Sequence, residues 1–142
     1  LGLFGIDLNT GKPFAVAPEA GLTLYSVEGL AWWKDQLIAV QNGFPPARVM
    51  RLQLDEAGTR VKHAQALDAA KPEFGLPTQG VVVGDAFWFI ANSQRGHYDS
   101  YGIPKDAAQL KPVHIYRSDI TFAVDSGKGK VSPAAAPMPA KQ

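Results

Sequence analysis

Residues 48–54 read RVMRLQL, with Val49, Arg51 and Gln53 on one side and Met50, Leu52 and Leu54 on the other. That strict alternation predicts an antiparallel strand with one buried face. Elsewhere the apolar residues are continuous. GVVV (80–83) and FWFIA (87–91) predict strands covered on both faces. Short segments rich in Val, Ile, Phe, Trp and Tyr give nine expected strands: Leu3–Leu8, Pro13–Ala17, Val27–Trp33, Gln36–Gln41, Arg48–Leu54, Val61–Ala66, Thr78–Val83, Ala86–Ala91 and Val113–Arg117. The links DLNTGK, WKDQ, LDEAGTR and VGDA carry turn chemistry. A weak helical pattern is confined to Asp106–Leu110.

The strand pattern repeats. Glu28–Asn42 can be laid on Gln79–Asn92 with one residue gapped, so that Gly29 falls on Gly80, Asp35 on Asp85, Val40 on Ile90 and Asn42 on Asn92. GIDLNTG (5–11) resembles QLDEAG (53–58), and Val49–Arg51 resembles Ile115–Arg117. Self-similarity at this period, with four strands per copy, is the signature of β-propeller blades. The expectation is an all-β chain of about two and a half four-stranded antiparallel blades, roughly 1–20, 24–68 and 76–120, within residues 1–122. A closed ring needs at least about four blades. This chain alone would leave two blade faces bare, so it is expected to belong to a longer protein or to pair with something. A self-contained sandwich or small barrel of the same nine strands is the alternative.

Composition narrows the function classes. Residues 1–122 hold eleven Lys/Arg and twelve Asp/Glu, so there is no basic stripe for a phosphate backbone and nucleic acid is not an expected partner. With no Cys, a thiol nucleophile, a disulfide or a Cys-based zinc site is excluded. No apolar run approaches the roughly 20 residues of a membrane helix. SGKGK (126–130) lacks phosphate-loop spacing, there is no Ser-centred nucleophile elbow, and no nucleotide or organic cofactor is expected. The Pro/Ala-rich end, 123–142, is expected to be disordered. The absence of Cys weakly favours a periplasmic or secreted setting.

VEGLAWWKDQLIAVQN and PTQGVVVGDAFWFIANSQ look like the opening inner strands and second strands of six-bladed propellers of the senescence-marker-protein/gluconolactonase group and related NHL-type propellers. ARVMRLQLDEAG and PVHIYRSDI are similar to that group's third strands. The resemblance spans roughly residues 3–120. It implies a six-bladed ring when complete, with upstream blades as partners, and a metal-assisted hydrolase of lactone- or ester-type small molecules. A non-catalytic propeller that binds a ligand or a protein is the alternative. In that group the residue before the opening Gly faces the channel and helps hold a divalent cation, commonly calcium. The matching positions are Glu28, the best candidate for metal ligand and catalytic group, and Gln79, which is neutral where the lactonases tend to have Asp or Asn.

Other candidates come from position. Asn42 and Asn92 lie where second strands run out, and turn formation competes there with ligand binding. The long loop RGHYDSYGIPKDAAQLKP (95–112) offers His97, Tyr98, Asp99 and Tyr101 for proton transfer or stacking. His63 and His114 read as structural. Trp32, Trp33 and Trp88 read as packing between blades.

Overall fold

A computed structural model describes residues 2–121 of the chain, so the expectations for 123–142 lie outside the described residues. All nine expected strands form, within a few residues at their ends: β1 (Phe4–Ile6), β2 (Pro13–Ala15), β3 (Val27–Trp33), β4 (Gln36–Gln41), β5 (Arg48–Leu54), β6 (Val61–Ala69), β7 (Gly80–Val83), β8 (Ala86–Ile90) and β9 (Ile115–Asp119). The helical hint shrinks to a 3-10 turn, Ala107–Gln109, whose start the Asp106 side chain caps by accepting from the Ala108 amide. The strands make three antiparallel sheets in sequence order, β1-β2, β3-β4-β5-β6 and β7-β8-β9.

The pairing registers make these sheets copies of one plan. Ile38 pairs with Ala31 and Arg51, as Trp88 pairs with Val81 and Arg117. Val40 pairs with Val49, as Ile90 pairs with Ile115. The match of Val49–Arg51 to Ile115–Arg117 therefore holds in register. So does that of the two acidic turns: Ile6 pairs with Pro13 and Leu54 with Val61, and Asp7 and Asp55 each accept two backbone amides across the loop. The gapped match holds from Asp35 on Asp85 through Asn42 on Asn92, but Gly29 does not fall on Gly80. Each inner hairpin turns through two residues, between Trp33 and Gln36 and between Val83 and Ala86. Lys34 and Asp35 both take positive φ (42° and 62°), whereas Gly84 does so in the other turn (60°). No gap is needed, and the equivalent of Gln79 is Gly29, while that of Glu28 is Thr78. A register shift at Val27/Gly29 leaves Glu28 as the extra residue. Thr78 likewise donates to the same Ile90 that donates to Gln79.

The sheets stack, and the central one is covered on two sides. On its forward side Ile38, Val40 and Val49 meet Phe87, Phe89, Tyr116 and Ile120 of the third sheet. On its back side Ala39, Met50, Leu52 and Val61 meet Val16 and Leu24, with Phe14 of β2 packed alongside. The expected single buried face of Arg48–Leu54 is thus corrected, since Val49 is as buried as Leu52. Conversely, GVVV is not covered on both faces: Val81 and Val83 are 58% and 60% exposed, because no described element lies over them. Trp32 is 57% exposed, so of the two adjacent tryptophans only Trp33 serves inter-sheet contact. Its Nε1 donates to the Gly84 carbonyl (3.2 Å), and Lys34 pairs with Asp85 (2.8 Å). The inner strands approach closely here: a Cβ on Gly29 would lie 3.2 Å from the Gln79 Cα.

Outer strands are joined by a buried polar clamp. Ser118 Oγ donates to Asp68 Oδ2 (2.6 Å), and Lys71 Nζ lies 3.2 Å from Asp68 Oδ1. Burial, then the charges of Asp68 and Glu73, push the Tyr116 hydroxyl up to about 12. The fold therefore holds the Tyr116 proton more tightly than the unfolded chain does. Its contribution is complete below pH 10 and is lost as pH rises from 10 to about 12. Urea unfolding across that window is expected to show stability falling by at most about 1.4 kcal/mol per pH unit, and Tyr116→Phe is expected to abolish that slope. Phe89 contacts the rings of Phe74, Phe87 and Tyr116, and Phe89→Ala is expected to cost about 3–5 kcal/mol in the same assay at neutral pH.

Candidate functional site

The ends of β4 and β8 point to the same rim, where the β6–β7 connector and the long β8–β9 loop meet. An asparagine follows each strand, Asn42 after β4 and Asn92 after β8, and the two do equivalent work. Asn42 Nδ2 donates to the Pro77 carbonyl (2.7 Å), and Asn92 Nδ2 donates to the Pro112 carbonyl (2.9 Å). Asn92 Oδ1 also accepts from the His114 amide (2.6 Å). Neither asparagine has positive φ. They are not turn formers, and their amides anchor the two segments that build the rim. Buried amides are retained where they satisfy backbone groups that would otherwise lack partners.

Gln94 closes the long loop. Its Nε2 donates to the Lys111 carbonyl and its Oε1 accepts from the Lys111 amide, both at 2.7 Å. Within the loop, Asp99 Oδ1 accepts from the amides of Tyr101 and Ile103, and Tyr98 forms a bridge with Pro104. Asp99 therefore shapes the loop with its carboxylate, Tyr98 is half-buried within it, and Tyr101 points to solvent. Of the loop candidates, His97 lines a cavity built from described residues.

Two hollows share this rim. The larger, of 610 Å3, has Phe74 and Leu76 among its apolar lining, and Glu73, His97, Lys111 and His114 among its polar groups. Phe74 is rigid because its ring packs edge-on against Phe89 and Tyr116. The smaller, of 280 Å3, is lined by Glu28, Asn42, Leu76, Thr78, Ser93 and Arg95. Leu76, at φ 61°, lines both. In the smaller hollow Glu28 Oε2 accepts from Arg95 at 2.8 Å. Gln79 is not brought to Glu28. It sits exposed against Gly29, and Thr78 lines the hollow in its place.

The rim thus assembles Glu28, Asn42, Asn92 and His97, but not Gln79, Tyr98 or Asp99. Phe74, Leu76, Arg95, Lys111 and His114 join them without having been singled out. His114 was expected to be structural, and the exposed position after Pro112 accounts for the difference. The signal for Phe74 and Leu76 was apolar residues in the turn-like connector KPEFGLP, where burial in a strand cannot explain them. His63 stays on β6, 4.0 Å from Glu19 and away from the rim.

Glu28 is the only acidic side chain of the smaller hollow, and among the described residues no group of three or more His, Asp or Glu is placed to hold a metal ion. A calcium site wants roughly six to eight oxygens, several of them charged. The described residues of the hollow do not by themselves supply that set, and the Glu28 carboxylate is paired with Arg95. No helix among the described residues is long and apolar enough to cross a membrane. Compared with protein-family models, curated proteins and solved structures, the chain gives no significant match.

The two asparagines separate in experiment. Asn92→Ala removes two bonds to the long loop and is expected to cost about 1–3 kcal/mol, with faster amide exchange at His114. Asn42→Ala removes one bond and is expected to cost less while leaving His114 exchange unchanged.

Proposed function

We propose that the three sheets form an arc of a β-propeller and that its rim groove binds a small molecule without turning it over. The propeller reading is supported by the in-register repeat and by the way consecutive sheets meet. Inner strand β3 lies beside inner strand β7, and outer strand β6 beside outer strand β9. Blades around a common axis meet in that way.

The observation that carries the binding reading is the 610 Å3 groove, with an apolar floor at Phe74 and Leu76 and a few polar groups around it. Small-molecule sites have this make-up and this range of volume. The ammonium of Lys111 and the imidazoles of His97 and His114 suit a ligand that carries hydrogen-bond acceptors on an apolar body. The hydrolase that the gluconolactonase resemblance implies would place a cation beside Glu28. The pairing of Glu28 with Arg95 favours binding over that chemistry.

The test is protein NMR with a set of aromatic and aliphatic carboxylates. Saturable shifts are expected at the Leu76 methyls and the His97 and His114 imidazoles, and those at the imidazoles are expected to disappear in Leu76→Asp. Shifts confined to other regions, or none with any member, would overturn the reading. Calorimetry with calcium chloride is expected to give no saturable heat. Saturable heat that vanishes in Glu28→Gln would replace the binding reading with the hydrolase.

A further inference from the structure

Among the described residues the third sheet is one strand short of the central one. The sheet β3-β4-β5-β6 has four strands, whereas β7-β8-β9 stops at the equivalent of β5. Hydrogen bonds at the two ends of β9 show which of its backbone groups face outward. The Ile120 amide donates to the Asp85 carbonyl, and the Ala91 amide donates to the His114 carbonyl. Even-numbered residues from His114 to Ile120 therefore turn their backbone groups toward β8. Ile115, Arg117 and Asp119 turn theirs to the outer edge, where no strand lies among the described residues. An open strand edge is a template for another strand, and proteins cover or block it.

The two described outer hairpins share one loop design. Ile6 pairs with Pro13 across residues 7–12, DLNTGK, and Leu54 pairs with Val61 across residues 55–60, DEAGTR. Each loop has six residues, opens on Asp and closes on a cation. In each, the first amide donates to the last carbonyl, Asp7 to Lys12 (3.0 Å) and Asp55 to Arg60 (2.8 Å). Each opening carboxylate accepts two loop amides, and Gly11 and Gly58 take the positive φ of the turn. Beyond β9, residues 125–130 read DSGKGK, between Val124 and Val131. The length, the opening Asp, the closing cation, an inner Gly and the aliphatic residue before the loop all recur. Residues 106–111, DAAQLK, share the two ends but have no glycine, and they hold a 3-10 turn instead.

Ile120 is the counterpart of Leu54, and Val124 follows it by four residues, an even number that keeps the same side inward. Residues 131–140 then read VSPAAAPMPA. A proline has no amide to donate, so in a sheet it stands on an edge strand with that position turned outward. Counted on from a pairing of Val124 with Val131, Asp119 meets Ala136, Arg117 meets Met138 and Ile115 meets Ala140. Pro133, Pro137 and Pro139 all fall on the alternate positions, which face away from β9. A slip of one residue would turn all three toward β9. On the same count Pro137 and Pro139 lie beside Ser118 and Tyr116, on the buried side of β9.

We propose that residues 131–140 run back antiparallel along the outer edge of β9 as the fourth strand of the third sheet, joined to it through an acidic loop at 125–130. This strand takes the place of the disorder expected from the Pro/Ala-rich composition. Small residues suffice there, because an outer strand covers an edge and not a core. Prolines in compatible positions also reduce the entropy lost on ordering it. β2, which follows a loop of the same design, itself begins on a proline, Pro13. The proposal rests on backbone pairing and on the recurring loop, and it is independent of the rim groove.

Protein NMR of the full chain is the test. The amides of Arg117 and Asp119 are expected to exchange slowly with solvent, as those of a paired strand do. A nuclear Overhauser contact is expected between the Hα atoms of Ser118 and Pro137, which face each other as a non-hydrogen-bonded pair. Two proline substitutions then separate the registers. Ala136→Pro removes an amide aimed at the Asp119 carbonyl and is expected to speed exchange at Arg117 and Asp119 roughly tenfold. Ala135→Pro falls on an outward position and is expected to leave that exchange unchanged. The Phe89 amide, in the middle of the sheet, is expected to stay slow in both variants, which shows that the rest of the fold is intact. Fast exchange at Arg117 and Asp119 in the parent chain overturns the proposal. So do equal effects of the two prolines. The reverse order, with Ala135→Pro disruptive and Ala136→Pro silent, also overturns it.

Discussion

An apolar sheet face stays dry only if another element covers it, and here the cover is the next sheet together with the connector residues Val16, Leu24 and Phe74. Ile38, Val40 and Val49 are fully buried because Phe87, Phe89 and Tyr116 lie over them. The same rule makes Val81 and Val83 exposed, although GVVV is as apolar as any strand in the chain. Burial in this fold is set by place in the stack more than by the strand's own composition. Even the rim depends on that stacking. Phe74 reaches the groove floor from a connector, and its ring is held by Phe89 and Tyr116 of the third sheet.

Apolar contact does not by itself fix how one sheet sits on the next. Three polar contacts do so, one at each depth. At the inner turns, Trp33 and Lys34 meet Gly84 and Asp85. In the middle strand, Arg51 meets the Ile120 carbonyl. At the outer edge, Ser118 meets Asp68. A buried polar group that misses its partner loses about 1–3 kcal/mol. A sideways slip of one sheet would break several of these bonds together while leaving the oily contact nearly unchanged. The stacking is thus attractive through its apolar residues and aligned through its polar ones.

Most of the fold was legible because strands announce themselves locally. Alternation, turn chemistry and the two acidic loops located all nine strands, and the internal matches hold in the pairing except at the start of the gapped one. That end failed for a physical reason. It lined up Gly29 with Gly80 by identity, but a glycine conserves no position when it serves different neighbours. Gly29 makes room for the adjacent Gln79 backbone, whereas Gly80 makes room for the Phe87 and Phe89 side chains. Strand pairing counts residues from the turn, and both turns have two. That single-residue slip also misplaced the site, since it made Gln79 the partner of Glu28. Site residues on the connectors were harder to read. Arg95, Lys111 and His114 come to the rim through Gln94 and Asn92, contacts that span about 20 positions and leave no periodic trace.

The repeat also says where to look for what is particular to this protein. Positions that serve the common scaffold recur in a second copy: Asn42 with Asn92, Arg51 with Arg117, Asp7 with Asp55. Other positions at the rim do not. Glu28 has Thr78 as its counterpart, and the short link from β4 to β5 is replaced after β8 by a loop that supplies Arg95, His97 and Lys111. Were Glu28 part of the common plan, its counterpart would carry a carboxylate as well. Instead its charge is met by Arg95, which comes from the one loop that has no counterpart. An acidic group and its cationic partner, both outside the repeat and set in the same hollow, are a local addition to the scaffold. The groove beside them is lined by the same unrepeated segments, so chemistry in this chain collects where the copies diverge.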